Sequence, residues 1–163
     1  MDEFDKYVGE SYVSWEFPVV IYPGDPQAMD PSVPENIANS YLEARRVYRD
    51  ASGPTAAAIM CRRTLEGICD HFGAEGGNLV RKLDSLNKEG IIDKKIHQWA
   101  NDVLRALGNN AAHDVDTVIS RQDAEDALEF TKAIVEYLFV FEEAFRQFTE
   151  RRKKSDEPSP LPT

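Results

Sequence analysis

The stretch Arg105-Ala-Leu-Gly-Asn-Asn-Ala-Ala-His113 gathers the residue types that could do chemistry: a guanidinium, two amides and an imidazole around a helix-breaking glycine. Asn tolerates left-handed backbone geometry and its amide bonds neighbouring main chain, so Gly108-Asn109-Asn110 makes a locally fixed polar turn. Between two helices, such a turn can aim the His113 ring, which titrates near neutrality, into the space separating them. The same residues also fit a plainer role, with Asn109 and Asn110 as C-capping groups and His113 bonded to nearby carbonyls. His71 ends a helix beside Phe72, and His97 lies among Lys94, Lys95 and Gln98, so both read as surface or helix-end residues. The sequence has no Gly-rich phosphate loop, no nucleophile elbow and no zinc-ligand spacing, so neither a metal nor a cofactor is expected.

Holding such a turn in place requires a core. A chain of 163 residues can build one, because a domain of this size hides roughly 70% of its unfolded surface. Cys61 and Cys69 fall eight residues apart in one helical stretch, about 12 Å of axial rise, which is beyond disulfide reach. They are expected to be buried free thiols, in keeping with a cytoplasmic protein that has no apolar run long enough to span a membrane. The net charge of −10 argues against constitutive nucleic-acid binding, since affinity for phosphates comes mainly from Lys and Arg displacing counterions. Residues 1–35 alone carry −7, leaving −3 for the remainder, where Arg45, Arg46, Arg49, Arg62 and Arg63 form a local basic grouping. Such a grouping is either a solvated face or a phosphate-contacting surface, with Arg45, Arg49 and Arg62 as the contacts.

The periodicity predicts an all-α bundle of about five helices over 34–152, preceded by an extended N-terminal arm (1–33) and followed by a disordered tail (153–163). In the arm, residues 12–22 alternate and cluster apolar side chains before Pro23-Gly24-Asp25-Pro26 breaks the run, and these aromatics are expected to pack against the bundle. Pro34 suits the first position of a helix carrying Ile37, Tyr41, Ala44 and Tyr48. Gly53-Pro54 opens a second with Ala58, Cys61, Leu65, Ile68, Cys69 and Phe72 on one stripe, closed by Gly73. Asn78 and Asp93 are N-cap candidates for a third and a fourth helix, which Gly90 and Gly108 end; the fourth has Ile96, Trp99, Ala100, Val103 and Leu107 inward. Ser120-Arg121-Gln122-Asp123 resembles a capping box and opens a last helix whose period runs through Leu128, Ile134, Leu138, Phe141, Phe145 and Phe148 to about Arg152. At some 30 residues this rod is about 45 Å long and its end should overhang a compact domain. Its stretch Tyr137-Leu138-Phe139-Val140-Phe141 is apolar on every face, which fits either a central, fully surrounded helix or a homodimer interface.

Three elements in order, Asn39-Ser-Tyr41-Leu-Glu43-Ala44, Arg62-Arg63-Thr64-Leu65-Glu66 and Leu107-Gly108-Asn109-Asn110-Ala111-Ala112-His113, make residues 37–140 resemble the DUF4145 family, a helical domain grouped with the HEPN superfamily. The resemblance implies prokaryotic defence, toxin or RNA-processing roles. Active HEPN proteins are metal-independent endoribonucleases with an Arg, four to six residues, then His, and their paired sites meet across a homodimer. His113 would then exchange protons with the ribose 2′-hydroxyl and the leaving oxygen while an arginine stabilises charge developing on phosphorus. The chain departs from that pattern, because positions 106, 107 and 108 are Ala, Leu and Gly, and Arg105 stands one residue too far back. On a continuous helix, Arg105 would point about 80° away from His113. Arg63 could substitute from the second helix, although Arg63 and Glu66 are spaced to pair with each other. Arg63, Glu66, Asn109, Asn110 and His113 also fit a polar network that orients the second helix against the turn.

Three functions are therefore in play. One is a non-catalytic helical module that binds a protein partner, RNA or a small ligand, as a dimer in a defence or stress setting. Another is a ribonuclease using His113 with Arg105 or Arg63. The third is a structural or regulatory subunit of a restriction-type complex.

Overall fold

Local chemistry fixes the helix ends. The Asn78 side chain accepts from the N–H of Arg81, Asp93 from that of Ile96 and Ser120 from that of Asp123, each satisfying a donor that a helix start leaves unpaired. Ser120 Oγ also donates to Asp123 Oδ2 at 2.6 Å, a shortened form of the capping box in which the hydroxyl takes the place of the backbone N–H. The computed structural model describes residues 28–49, 53–108 and 118–156, the side chains of 155 and 156 excepted. The arm run 12–22, the turn residues Asn109, Asn110 and His113, and the chain end from 157 lie outside the described residues.

Among the described residues the chain is entirely helical, as expected from its periodicity: α1 (Glu35–Arg49), α2 (Pro54–His71), α3 (Leu79–Lys88), α4 (Lys94–Leu107) and a fifth rod. That rod comprises α5 (Arg121–Val135), a π-helical segment (Glu136–Phe141) and α6 (Glu142–Asp156). Pro34 stands one place before the first helical residue, and its carbonyl accepts from Ile37 and Ala38. At the other end the helix extends to Asp156, into the segment read as tail. Its Arg151, Arg152, Lys153 and Lys154 are exposed, where the negative end of the helix dipole favours cations.

α2 lies between α1 and α5, α4 packs on α5, and α3 bridges α2 and α4. The core is what the apolar stripes promised: Ile37, Tyr41 and Ala44 from α1, Cys61, Leu65, Ile68 and Cys69 from α2, and Leu83 and Leu86 from α3. α4 adds Ala100, Val103, Leu104 and Leu107, and α5 adds Phe130 and Ile134. A fully buried side chain of this size stabilises by roughly 1.5–3 kcal/mol relative to exposure. Gly76 is needed where the chain enters α3: a Cβ there would stand 2.7 Å from the Arg81 Cβ and 2.9 Å from backbone. Trp99 departs from the inward face assigned to it; it is 39% exposed, resting its ring edge-on against Phe130 at 5.1 Å.

The fifth rod differs most from a simple periodic helix. Leu138 and Phe139 are buried in the chain's own core, Tyr137 and Val140 are half-buried, and Phe141 is 59% exposed. A π turn is wider than an α turn, so each residue advances roughly 18° less, and six residues rotate the subsequent face by about 100°. The apolar stripe that faces the core through Ile134 is thereby turned outward at Phe141, Phe145 and Phe148. The fully surrounded reading fails along the rod: α5 buries one broad face but exposes Glu125, Asp126, Glu129 and Lys132, and α6 has no buried residue among those described.

Candidate functional site

α4 ends in a left-handed exit: Gly108 has φ 73 and its N–H bonds to the Arg105 carbonyl at 3.2 Å. That backbone geometry suits glycine, since a Cβ is strained there. The chain returns at Val118, and Ile119 is buried while its N–H donates to Thr55 Oγ1 on α2 at 3.1 Å. The two described flanks of this stretch are both fixed in the body of the protein, Leu107 by burial at the end of α4 and Ile119 by burial and its bond to Thr55 at the start of α2.

Arg105 sits in the last turn of α4 with its side chain 80% exposed, and Nη1 donates to Asp102 Oδ1 at 3.3 Å. It borders a shallow depression of about 310 Å³ with Val80, Asn101 and Leu104. Arg63 is exposed on α2, eight residues from Thr55 and hence about 12 Å further along that helix. Of the two arginines, Arg105 is the nearer in chain and on the helix that delivers the turn. Glu66 is also exposed, so neither Arg63 nor Glu66 belongs to a buried polar network.

The buried polar contacts lie one residue away from those candidates. Thr64 Oγ1 donates to the Met60 carbonyl at 2.9 Å, which leaves it to accept from Ser40 Oγ, also at 2.9 Å, tying α1 to α2. Thr131 on α5 donates to the Ala127 carbonyl at 2.7 Å. Among the described residues no buried side-chain donor or acceptor is left unpaired. Cys61 and Cys69 are free and buried, as expected, and burial pushes each thiol up to about 12, which makes both inert near neutrality.

The basic grouping is dispersed rather than focused. Arg45 is half-buried with its guanidinium 6.0 Å from the Tyr41 ring centre, Arg62 is half-buried, and Arg46 and Arg49 are exposed. Burial raises the Tyr41 hydroxyl to about 12, against a smaller opposing pull from Arg45. Arg121, which the sequence did not mark, lies 4.6 Å over the ring of Tyr48, whose hydroxyl donates to Glu125 at 3.3 Å.

Two histidine environments also escaped the linear reading. His97 is half-buried, with Nε2 donating to Asp84 Oδ1 at 2.7 Å and the Asn101 amide 3.2 Å from the same nitrogen, so it joins α3 to α4. A separation of 13 residues carries no helical signal that could have announced that pair. His71 is exposed but edges onto Phe72 and Phe139 at 5.1 and 5.3 Å, lining a groove of about 1020 Å³ beside α6. A second groove, of about 840 Å³, opens between α1 and the fifth rod, lined by Tyr41, Arg45, Lys132, Tyr137, Val140 and Phe141 among others.

No helix among the described residues is long and apolar enough to cross a membrane. No curated protein and no solved structure matches the chain. DUF4145, a domain of unknown function, matches residues 43–154, from the second half of α1 almost to the end of α6. A match over that much of the helical body means that the chain belongs to the DUF4145 family.

Proposed function

We propose that the chain is a non-catalytic, HEPN-like helical binding module of a prokaryotic defence or stress response, cytoplasmic, and homodimeric along α6. In this reading the module spans 34–152. The observation that carries it is the row Phe141, Phe145 and Phe148, exposed by 59, 58 and 53%, the last two on a helix that buries nothing. α6 continues the rod of α5, so its helix is already nucleated, and what self-association adds is cover for an apolar row that is otherwise left in water. At that exposure the three rings offer roughly 100 Å² each, the apolar centre of an interface whose remaining area, towards the roughly 800 Å² per partner of a standard one, comes from their neighbours. Leu138 and Phe139 take no part in it, being consumed by the core, so the interface is shifted towards the chain end from the stretch 137–141. The displacement of Arg105 from the ribonuclease spacing, and its tie to Asp102, support the non-catalytic reading.

Sedimentation equilibrium tests the dimer: the wild type should dimerise, and Phe145→Glu with Phe148→Glu should be monomeric with an unchanged far-UV spectrum. A monomeric wild type at tens of micromolar overturns it.

The ribonuclease reading keeps one observation in its favour, the exposure of both Arg105 and Arg63, which leaves both guanidinium groups within reach of a phosphate from solution. RNA incubated with the protein in EDTA separates the two. Intact RNA supports the binding module, whereas cyclic-phosphate ends that disappear in His113→Ala establish the nuclease.

A further inference from the structure

We propose that the groove between α1 and the fifth rod is the docking site of the chain's own N-terminal segment, residues 12–22. Ala28, Met29 and Asp30, the first residues the structure describes, themselves line this groove, so the 27 residues before them are tethered at its mouth. Met29 already packs against the core. Six peptide units separate Tyr22 from Ala28 and span at most about 22 Å, so the near end of the apolar run stays in the neighbourhood. The Pro23-Gly24-Asp25-Pro26 sequence favours a turn, the reversal that docking requires between residues 12–22 and the groove mouth.

Composition matches on both sides. The groove floor is aromatic and aliphatic: Tyr41, Val140, Ala144, and the rings of Tyr137 and Phe141, stacked at 6.3 Å with an interplanar angle of 8°. The segment offers Tyr12, Val13, Trp15, Phe17, Val19, Val20, Ile21 and Tyr22, and it carries Glu16 between Trp15 and Phe17. At the rim, Lys132 is paired with Glu136 at 3.6 Å, whereas Arg45 makes no ion pair among the described residues. An acidic segment within reach of that guanidinium is the complement it lacks. Short tethering gives an effective concentration in the millimolar range, which an external peptide would have to exceed to displace it. Phe141 is shared between this groove and the self-association row, whereas Phe148 lies outside the groove and Phe145 lines only the other one, so these two stay available when the segment is docked.

The chain has two tryptophans, and Trp99→Phe leaves Trp15 as the sole reporter on the full-length protein. Docking predicts a blue-shifted Trp15 emission with acrylamide quenching several-fold weaker than for a free indole. Val140→Glu, and separately Arg45→Glu, should shift that emission to the red without changing the far-UV spectrum. Arg45→Glu decides the matter alone if Val140→Glu does not fold. A water-like Trp15 in the parent protein overturns the proposal, as does a blue shift that both substitutions leave intact. A blue shift lost on dilution also overturns it, since the occupant would then be the segment of a second copy.

Discussion

α5 and α6 are consecutive 15-residue helices of one rod, yet α5 buries Ala124, Ala127, Leu128, Phe130, Thr131, Ile134 and Val135 while α6 buries none. α5 is held by α1, α2 and α4. α6 is held by its own surface: Arg146 bonds Glu143 at 2.7 and 2.9 Å and Glu150 at 2.6 Å, and solvent-exposed pairs of this kind contribute little to stability. The difference teaches that the rod is two devices. α5 is a structural element of the domain, and α6 leaves its phenylalanines uncovered among the described residues, as the proposed self-association requires, with the π segment between them setting which way they face.

The largest contrast should come from matched truncations. Phe130→Ala should cost about 3–5 kcal/mol in urea denaturation, whereas Phe148→Ala should change monomer stability by less than about 0.5 kcal/mol. Equal losses at the two sites would erase the distinction.

Alkaline pH should act on the body alone. Cys61, Cys69 and Tyr41 are each raised to about 12 in the fold by burial, from 9.0 for the thiols and 10.0 for the phenol. Their contribution is therefore complete below about pH 9 and is lost as the pH rises through 9–12, because the unfolded chain ionises first. Denaturation midpoints should fall steadily from pH 9 upward, and Cys61→Ala should flatten part of that slope while lowering stability at pH 7.

A subtler pair compares two threonines with the same local bond. Thr131 Oγ1 donates to the Ala127 carbonyl inside the core, and Thr149 Oγ1 donates to the Phe145 carbonyl on α6. Thr131→Val should cost about 1 kcal/mol in denaturant titrations and Thr149→Val should be neutral within about 0.5 kcal/mol.

The smallest effect is acidic and confined to α6. Hydrogen bonds from Arg146 and then Gln147 hold the Glu143 carboxyl down at about 2 from 4.5, so its contribution is complete above about pH 4.5 and disappears as the pH falls through 2. Glu143→Gln should remove that dependence, read as a slight loss of helicity by circular dichroism with the cooperative unfolding transition unmoved.

Much of the fold was legible because helix ends are written locally. A cap and its partner are three residues apart, as with Asn78 and Arg81 or Asp93 and Ile96, and a glycine exit such as Gly108 needs only its own backbone freedom. The place of Arg105 at the close of α4 could be read the same way. The surroundings of the candidate residues could not. Arg63 and Glu66 are outside and Thr64 inside because the facing residue is Ser40, 24 positions away. His97 is half-buried because Asp84 comes to it from another helix.

The sequence by itself determined the helices, most of their capped ends and the apolar stripe that each carries, since propensity, capping and periodicity act within a few residues. Only the tertiary structure decided that Leu138 and Phe139 would be core while Phe141, Phe145 and Phe148 would remain outside. Their spacing continues the stripe of α5 without a break. Two facts overrule it: a π segment rotates the face by about 100°, and no other helix among the described residues covers α6.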